Sequence, residues 1–171
     1  MSPVYRVIQA QTAEQFAAAR ILIEEYAAYI GSSMHVDLCF QNLAAELEHL
    51  PQMYGPPSGC LMLASRGDER VGCCALRRFD EGVCEMKRLY VKPGHRGANL
   101  GRVLVENLAD QARALGYGRM VLDTLQDMIA ADALYRSLGF REIAPYYFNP
   151  MAGVSYMELD LGMAKIAARR S

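Results

Sequence analysis

Residues 85–102 read Glu85-Met86-Lys87-Arg88-Leu89-Tyr90-Val91-Lys92-Pro93-Gly94-His95-Arg96-Gly97-Ala98-Asn99-Leu100-Gly101-Arg102, and no other stretch constrains the fold as much. A strand is predicted over residues 83–91, with β-formers at Val83, Leu89, Tyr90 and Val91. Pro93-Gly94 ends it, because proline has no N–H for a ladder and glycine takes turn angles freely. Apolar residues then recur at Leu100, Val103, Leu104, Leu108, Ala112 and Leu115, the three-to-four spacing of a helix, with Gly116 placed as its C-cap. Arg119-Met120-Val121-Leu122-Asp123 follows as a short buried strand. Strand, helix and strand in so short a span form a parallel crossover.

A helix that starts from a glycine-rich turn presents unpaired N–H groups and the positive end of its dipole, a site suited to phosphate. The local charge agrees. Lys87, Arg88, Lys92, Arg96 and Arg102 stand between Met86 and Val105 with no acid among them, although the whole chain has a net charge of −1. That near-neutral balance argues against general nucleic-acid binding.

The remaining elements place this unit in an α+β fold. Residues 4–8 alternate as a first strand, and Thr12-Ala13-Glu14-Gln15 fits a capping box. The helix that follows carries Phe16, Ala19, Ile23, Tyr26, Ala27 and Ile30 on one face, with Gly31 placed to end it. Phe40, Leu43, Ala44, Leu47 and Leu50 form a second helical face that Pro51 should stop. Strands at 60–65, 71–79 and 83–91 make a meander through turns at 66–70 and 80–82. A helix over 130–138 ends at Gly139, and a Schellman ending would fold Phe140 back onto Tyr135. Final strands lie at 140–143 and 154–161, the second alternating Met157, Leu159 and Leu161 against Tyr156, Glu158 and Asp160. The prediction is one domain over residues 1–163 and a basic tail at 164–171.

Five cysteines without CxxC spacing suggest reduced, buried thiols, and no secretion signal or membrane-length apolar run is seen, so a cytoplasmic protein is expected. His35, His49 and His95 lack ligand spacing, so no metal is expected, and His95 reads as a solvated loop residue.

Two motifs carry a family resemblance. Arg96-Gly97-Ala98-Asn99-Leu100-Gly101 resembles the pyrophosphate loop of the GNAT superfamily of acyl-CoA-dependent N-acyltransferases, Arg/Gln-x-x-Gly-x-Gly/Ala. Leu134-Tyr135-Arg136-Ser137-Leu138-Gly139-Phe140 resembles the end of that family's penultimate helix. Together with the element order, the resemblance spans nearly the whole chain. It implies a mostly antiparallel twisted sheet of about six or seven strands, splayed between the fourth and fifth, with about four helices on its two faces. It also implies acetyl-CoA as cosubstrate, its pyrophosphate on residues 96–102 and its pantetheine arm along the backbone of Leu89, Tyr90 and Val91. The family's sheet edges and last strands often pair, which allows a homodimer.

The implied chemistry is direct transfer of an acetyl group to an amine of a small molecule or peptide. A free alkylamine is almost wholly protonated at pH 7, and removing that proton costs roughly 4 to 5 kcal/mol. Glu85 stands where some family members place a glutamate base, acting directly or through water; the bland alternative is an ion pair with Lys87. Tyr135 is the candidate acid for the leaving thiolate, against a plain core tyrosine. Asp37 and Phe40, and Tyr146, Tyr147 and Asn149, fall in the two segments that line the family's acceptor pocket, or else are surface loops. An acid at Asp37 beside an aromatic at Phe40 would suit a cationic amine. Two positions depart from the family. Asn99 replaces the first glycine of the loop and would have to adopt a left-handed conformation, serving also as N-cap. Met128 replaces an asparagine that contacts the pantetheine arm. The rival reading is a non-catalytic acyl-CoA sensor or recruitment module.

Overall fold

The computed structural model describes residues 4–38 and 42–162. Seven strands and five α-helices follow one another as β1 (Arg6–Gln9), α1 (Ala13–Met34), α2 (Leu43–Glu48), α3 (Leu50–Tyr54), β2 (Cys60–Arg66), β3 (Glu69–Asp80), β4 (Val83–Val91), α4 (Leu100–Ala114), β5 (Arg119–Leu125), α5 (Ile129–Ser137), β6 (Arg141–Ile143) and β7 (Val154–Asp160). The strands form one sheet in the order β1-β2-β3-β4-β5-β7-β6. Only β4 and β5 pair in parallel, with α4 as the crossover between them. This is the mixed α+β fold that the sequence predicts.

Each face of the sheet buries its own cluster. Leu100, Leu104, Val105, Leu108 and Ala112 of α4 pack with Met62, Leu76, Met86, Met120, Leu122 and Met157, and Tyr135 and Phe140 join them. Phe16, Ala19, Leu22 and Ile23 of α1 and Leu50 and Tyr54 of α3 cover the opposite face, against Leu61, Leu63, Cys73, Ala75 and Tyr90. The cysteines at 60, 73, 74 and 84 are free and buried within these clusters. Cys39, Phe40 and the tail at 164–171 lie outside the described residues.

Local signals mostly hold. The Thr12 capping box is present in both directions. Gly139 is left-handed at φ 97°, the Phe140 N–H donates to the Tyr135 carbonyl at 3.0 Å, and the two rings lie 5.6 Å apart. Three expectations fail. Gly31 does not end α1, which runs to Met34 and stops at His35 in the left-handed region at φ 54°; glycine weakens a helix interior by about 1 kcal/mol without breaking it. Pro51 does not stop a helix but opens α3, where a missing N–H costs nothing. In β7, Tyr156 and Glu158 are buried along with Met157, because the strand lies between β5 and β6, Tyr146 and Tyr147 pack on Tyr156, and Arg119 and Arg141 flank Glu158.

The feature that positions the site is in β4. Against β3, the register runs from Ala75↔Lys87 to Cys73↔Tyr90, so β4 carries one extra residue. Arg88 takes up the excess with φ at 61°, a conformation that residues with a Cβ adopt rarely. Against β5, pairing covers Val83↔Arg119, Cys84↔Met120 and Glu85↔Val121 and goes no further. Beyond Glu85 the two strands splay apart.

Candidate active site

The splay leaves the β5-facing edge of residues 86–91 without a strand partner. On that side a groove is lined by Leu89, Tyr90 and Val91 of β4, the loop and first turn of α4 from Arg96 to Arg102, and Met128, Ala131 and Leu134 at the start of α5; Ala98 is the one residue of that run that does not line it. Tyr26, Tyr29 and Met34 of α1 close the groove from above. The Arg96 N–H bonds back to the Pro93 carbonyl at 3.3 Å, and beyond it lie the N–H groups of the first helical turn, which have no intrahelical acceptor. Asn99 sits at φ 61°, so it does replace glycine in the left-handed position, but its side chain makes no cap hydrogen bond. Met128 likewise gives α5 no side-chain cap.

The charge around this groove differs from its linear reading. Acids outside the run meet most of the cations: Arg88 with Glu46 and Lys92 with Glu69 and Glu25 across the fold, and Arg102 with Glu106 one helical turn on. Arg96 has no carboxylate within ion-pair distance among the described residues. Its Nε donates to the Val91 carbonyl at 2.9 Å, and its guanidinium lies 4.6 Å from the centre of the Tyr29 ring. Arg96 and the helix N-terminus together thus put positive charge and free N–H groups on the groove wall, an arrangement suited to an anion. His95 is not solvated as expected. It is half-buried between the Tyr5 hydroxyl at 3.2 Å and Glu69 at 3.6 Å.

A second cavity fills the wedge between the splayed strands. Met86, Lys87, Arg88 and Leu89 line it from β4, and Leu122, Asp123, Thr124 and Leu125 from β5. Tyr26 and Ile30 of α1, Val36, Leu38, Tyr135 and the loop residues Asn149 and Met151 complete it. Tyr26, Leu89, Met128 and Ala131 line both spaces, so groove and cavity meet at Leu89. Tyr135 is buried and held there by the Schellman ending of α5. Burial, with Tyr26 beside it, pushes its phenol well above the usual range, so the hydroxyl keeps its proton at neutral pH.

Glu85 lies behind this cavity and does not line it. Its cross-strand neighbour Arg77 donates to Oε1 through Nε at 2.9 Å, and Tyr146 donates to Oε2 at 2.7 Å. Lys87 Nζ stands at 4.0 Å, a looser partner than Arg77. Asp123, which sequence reasoning passed over as a strand end, is the carboxylate that does line the cavity. Tyr147 donates to its Oδ2 at 2.5 Å and Asn149 to the same oxygen at 3.3 Å. The signal was a charged residue in an otherwise apolar buried strand. Of the suggested acceptor residues, Asn149 lines the cavity and Asp37 is exposed, while its neighbours Val36 and Leu38 point the segment inward. Arg88 pairs with Glu46 on α2, Nε to Oε1 at 2.8 Å and Nη2 to Oε2 at 2.7 Å, and Tyr54 donates to Oε1 at 2.7 Å.

An extended ligand with a phosphate at one end fits this geometry: an unpaired strand edge, an anion site at the strand's exit and a cavity at its other end. Among the described residues no group of three or more His, Cys, Asp or Glu could hold a metal, and no helix is long and apolar enough to cross a membrane.

Known proteins agree with this reading. Residues 16–140 match the model of the Acetyltransferase (GNAT) family. An uncharacterized N-acetyltransferase of Schizosaccharomyces pombe is 43% identical over 145 residues, covering 83% of this chain and 86% of its own. A GNAT-family acetyltransferase of Staphylococcus aureus shares the fold with a TM-score of 0.75 at 21% identity, over 92% of this chain and 99% of its own. The Salmonella typhimurium protein yncA, solved with its cofactor acetyl-CoA, superposes with a TM-score of 0.68 at 25% identity, over 92% of this chain and 94% of its own. The chain thus belongs to the GNAT acetyltransferase family, as an acyltransferase with acetyl-CoA as its cosubstrate.

Proposed function

We propose that this protein moves the acetyl group of acetyl-CoA directly to an amine while both are bound. The observation that carries the reading is the junction at Leu89, where the cofactor groove opens into a separate cavity that also holds Tyr135. Two substrates can occupy adjoining spaces and meet at one point. Coenzyme A supplies the activated thioester. The backbone of Leu89, Tyr90 and Val91 would align its pantetheine arm as an added strand, with the Leu89 N–H near the thioester carbonyl to stabilise developing negative charge. Gly97, Asn99, Leu100, Gly101 and Arg102 would cradle the pyrophosphate, with Arg96 supplying the charge.

A covalent acetyl-enzyme would need a nucleophile in the cavity. The cysteines at 60, 73 and 84 do not line it, and burial pushes their thiols up to about 12. The proton steps fall to two groups. Tyr135, kept protonated by burial, gives a proton to the leaving thiolate. For the amine, Asp123 is better placed than Glu85. Both of its hydrogen bonds fall on Oδ2, leaving Oδ1 for the substrate, whereas Glu85 is held at both oxygens.

Initial-rate kinetics test the route, with intersecting lines for a ternary complex and parallel lines against it. Replacing Tyr135→Phe should lower kcat by about 100-fold or more while calorimetry shows unchanged acetyl-CoA affinity. Unchanged turnover would remove Tyr135 as the acid. Binding of acetyl-CoA without product from any amine would leave a binding module.

A further inference from the structure

The inner cavity is much the smaller of the two spaces. Its volume is about 100 Å³, against about 750 Å³ for the groove. Among the described residues, Tyr26, Leu89, Met128 and Ala131 line both. They form a collar at the point where an acyl group held at the end of the groove would enter the cavity. Leu89 belongs to β4, whose backbone makes the groove edge. The Tyr26 ring rests against Tyr90, with centroids 5.8 Å apart. Ala131 has no side chain beyond Cβ. Met128 differs from all three. Its backbone is anchored, with the N–H donating to the Leu125 carbonyl at 2.9 Å and the carbonyl accepting from the Asp132 N–H at 3.0 Å. Its side chain makes no cap hydrogen bond. A methionine so placed is an unbranched, adaptable filler, and its bulk narrows the opening without directing the chain path.

Collar and cavity together limit the acyl chain. Each methylene added to acetyl needs roughly the room of one water, about 30 Å³. A butyryl group adds two and takes more than half of the inner volume. A hexanoyl group adds four and exceeds it.

We propose that Met128 sets the length of acyl chain this protein accepts on coenzyme A, admitting acetyl and its nearest homologues and excluding hexanoyl and longer chains. The proposal rests on the cofactor placement above, with the thioester at Leu89. It gives position 128 a space-filling task in place of the polar contact that an asparagine would make. Donor and acceptor also share the inner space, so each methylene gained by the acyl chain is room lost to the amine.

Calorimetry on the full chain tests this with free CoA and its acetyl, butyryl and hexanoyl thioesters, each thioester being read as a ratio to free CoA on the same variant. In the wild type, hexanoyl-CoA should bind about ten-fold or more weakly than acetyl-CoA, while butyryl-CoA stays within about three-fold of it. Met128→Ala removes Cγ, Sδ and Cε from the collar and should bring hexanoyl-CoA to within about three-fold of acetyl-CoA. Met128→Leu, similar in volume, should keep the cut-off. Ala131→Leu narrows the collar and should lower the cut-off, so that butyryl-CoA too binds about ten-fold or more weakly than acetyl-CoA. Hexanoyl-CoA binding the wild type as tightly as acetyl-CoA overturns the proposal, as does an unmoved cut-off in Met128→Ala. Should Met128→Ala fail to fold, an unmoved cut-off in Ala131→Leu overturns it equally. Failure of free CoA to bind would sink the cofactor placement and the collar with it, whereas a missing cut-off with CoA bound sinks the collar alone.

Discussion

The network of Arg88, Glu46 and Tyr54 sustains the splay, and its removal has a calculable cost. The Arg88 and Glu46 side chains are 4% and 3% exposed, and two charge-assisted bonds of 2.8 and 2.7 Å join them. Deleting one partner of a buried pair costs about 3–5 kcal/mol, because the other charge remains without compensation. Arg88→Met keeps most of the apolar stem and imposes the same backbone conformation, so the loss reads the ion pair. In a domain of this size each kcal/mol shifts Tm by roughly 2–4 °C, giving a fall of about 6–20 °C. The double variant Glu46→Met, Arg88→Met removes both charges and leaves only the Tyr54 hydroxyl without its acceptor. Tyr54 is fully buried, and an orphaned hydroxyl costs about 1–3 kcal/mol. The double should therefore be less destabilised than either single, a coupling that urea unfolding of the wild type and three variants measures directly. Acetyl-CoA affinity should fall in Arg88→Met, since the bulge that frees the β4 edge loses its anchor. Additive losses, with the double as weak as the two singles summed, would refute the reasoning.

Three further outcomes are expected. Asn99→Gly should change stability by no more than about 1 kcal/mol, whereas Asn99→Val forces a β-branched residue to φ 61° and should cost about 1–2 kcal/mol and raise the KM for acetyl-CoA, checked by unfolding and steady-state kinetics. Asp123→Asn should lower kcat about 100-fold or more at unchanged acetyl-CoA affinity, while Glu85→Gln should chiefly lower Tm by stranding Arg77; the reverse pattern would return the base role to Glu85. Burial alone would raise the Glu46 carboxyl, but Arg88 overrides it and holds it below the usual range. Its unfolded value is the higher one, so its stabilising effect is complete above the ordinary carboxylate range and is lost as pH falls below it; Arg88→Met should flatten the acid limb of stability against pH.

The sequence carried the fold further than the site. Strand, loop and helix at 83–115 were legible because each boundary has its own residue: Pro93 for the strand, Asn99 for the turn, Gly116 for the helix. Tyr135 was legible because a Schellman ending is a local device. Glu85 shows where local reasoning stops. Counting back from a two-residue turn at 81–82 pairs it with Arg78, but β3 carries an extra residue at Phe79, and the partner becomes Arg77. Either register sets an arginine opposite Glu85; the shift decides that it is Arg77, whose guanidinium holds Oε1. The Glu46 to Arg88 pair spans 42 residues, and neither helix propensity nor strand alternation marks its two ends as partners. The basic run at 87–102 looked uncompensated because its acids lie outside it, on α1, on α2, at the start of β3 and one turn further along α4.

A single backbone event at Arg88 creates both halves of the site, yet the halves can be altered separately. In a strand the N–H and C=O groups lie in the plane of the sheet, while side chains stand above and below it. The cofactor arm would use the in-plane edge of residues 89–91, and the acceptor would meet a side chain of the cavity wall, that of Asp123, out of plane. Substituting that side chain should therefore leave the strand edge intact and act on the acceptor alone. Changing the backbone at Arg88, by contrast, should move the edge and the cavity wall together. Variation in acceptor preference on this scaffold is then expected in the side chains at 123 and 149, with the positive-φ residue and its carboxylate partner held fixed.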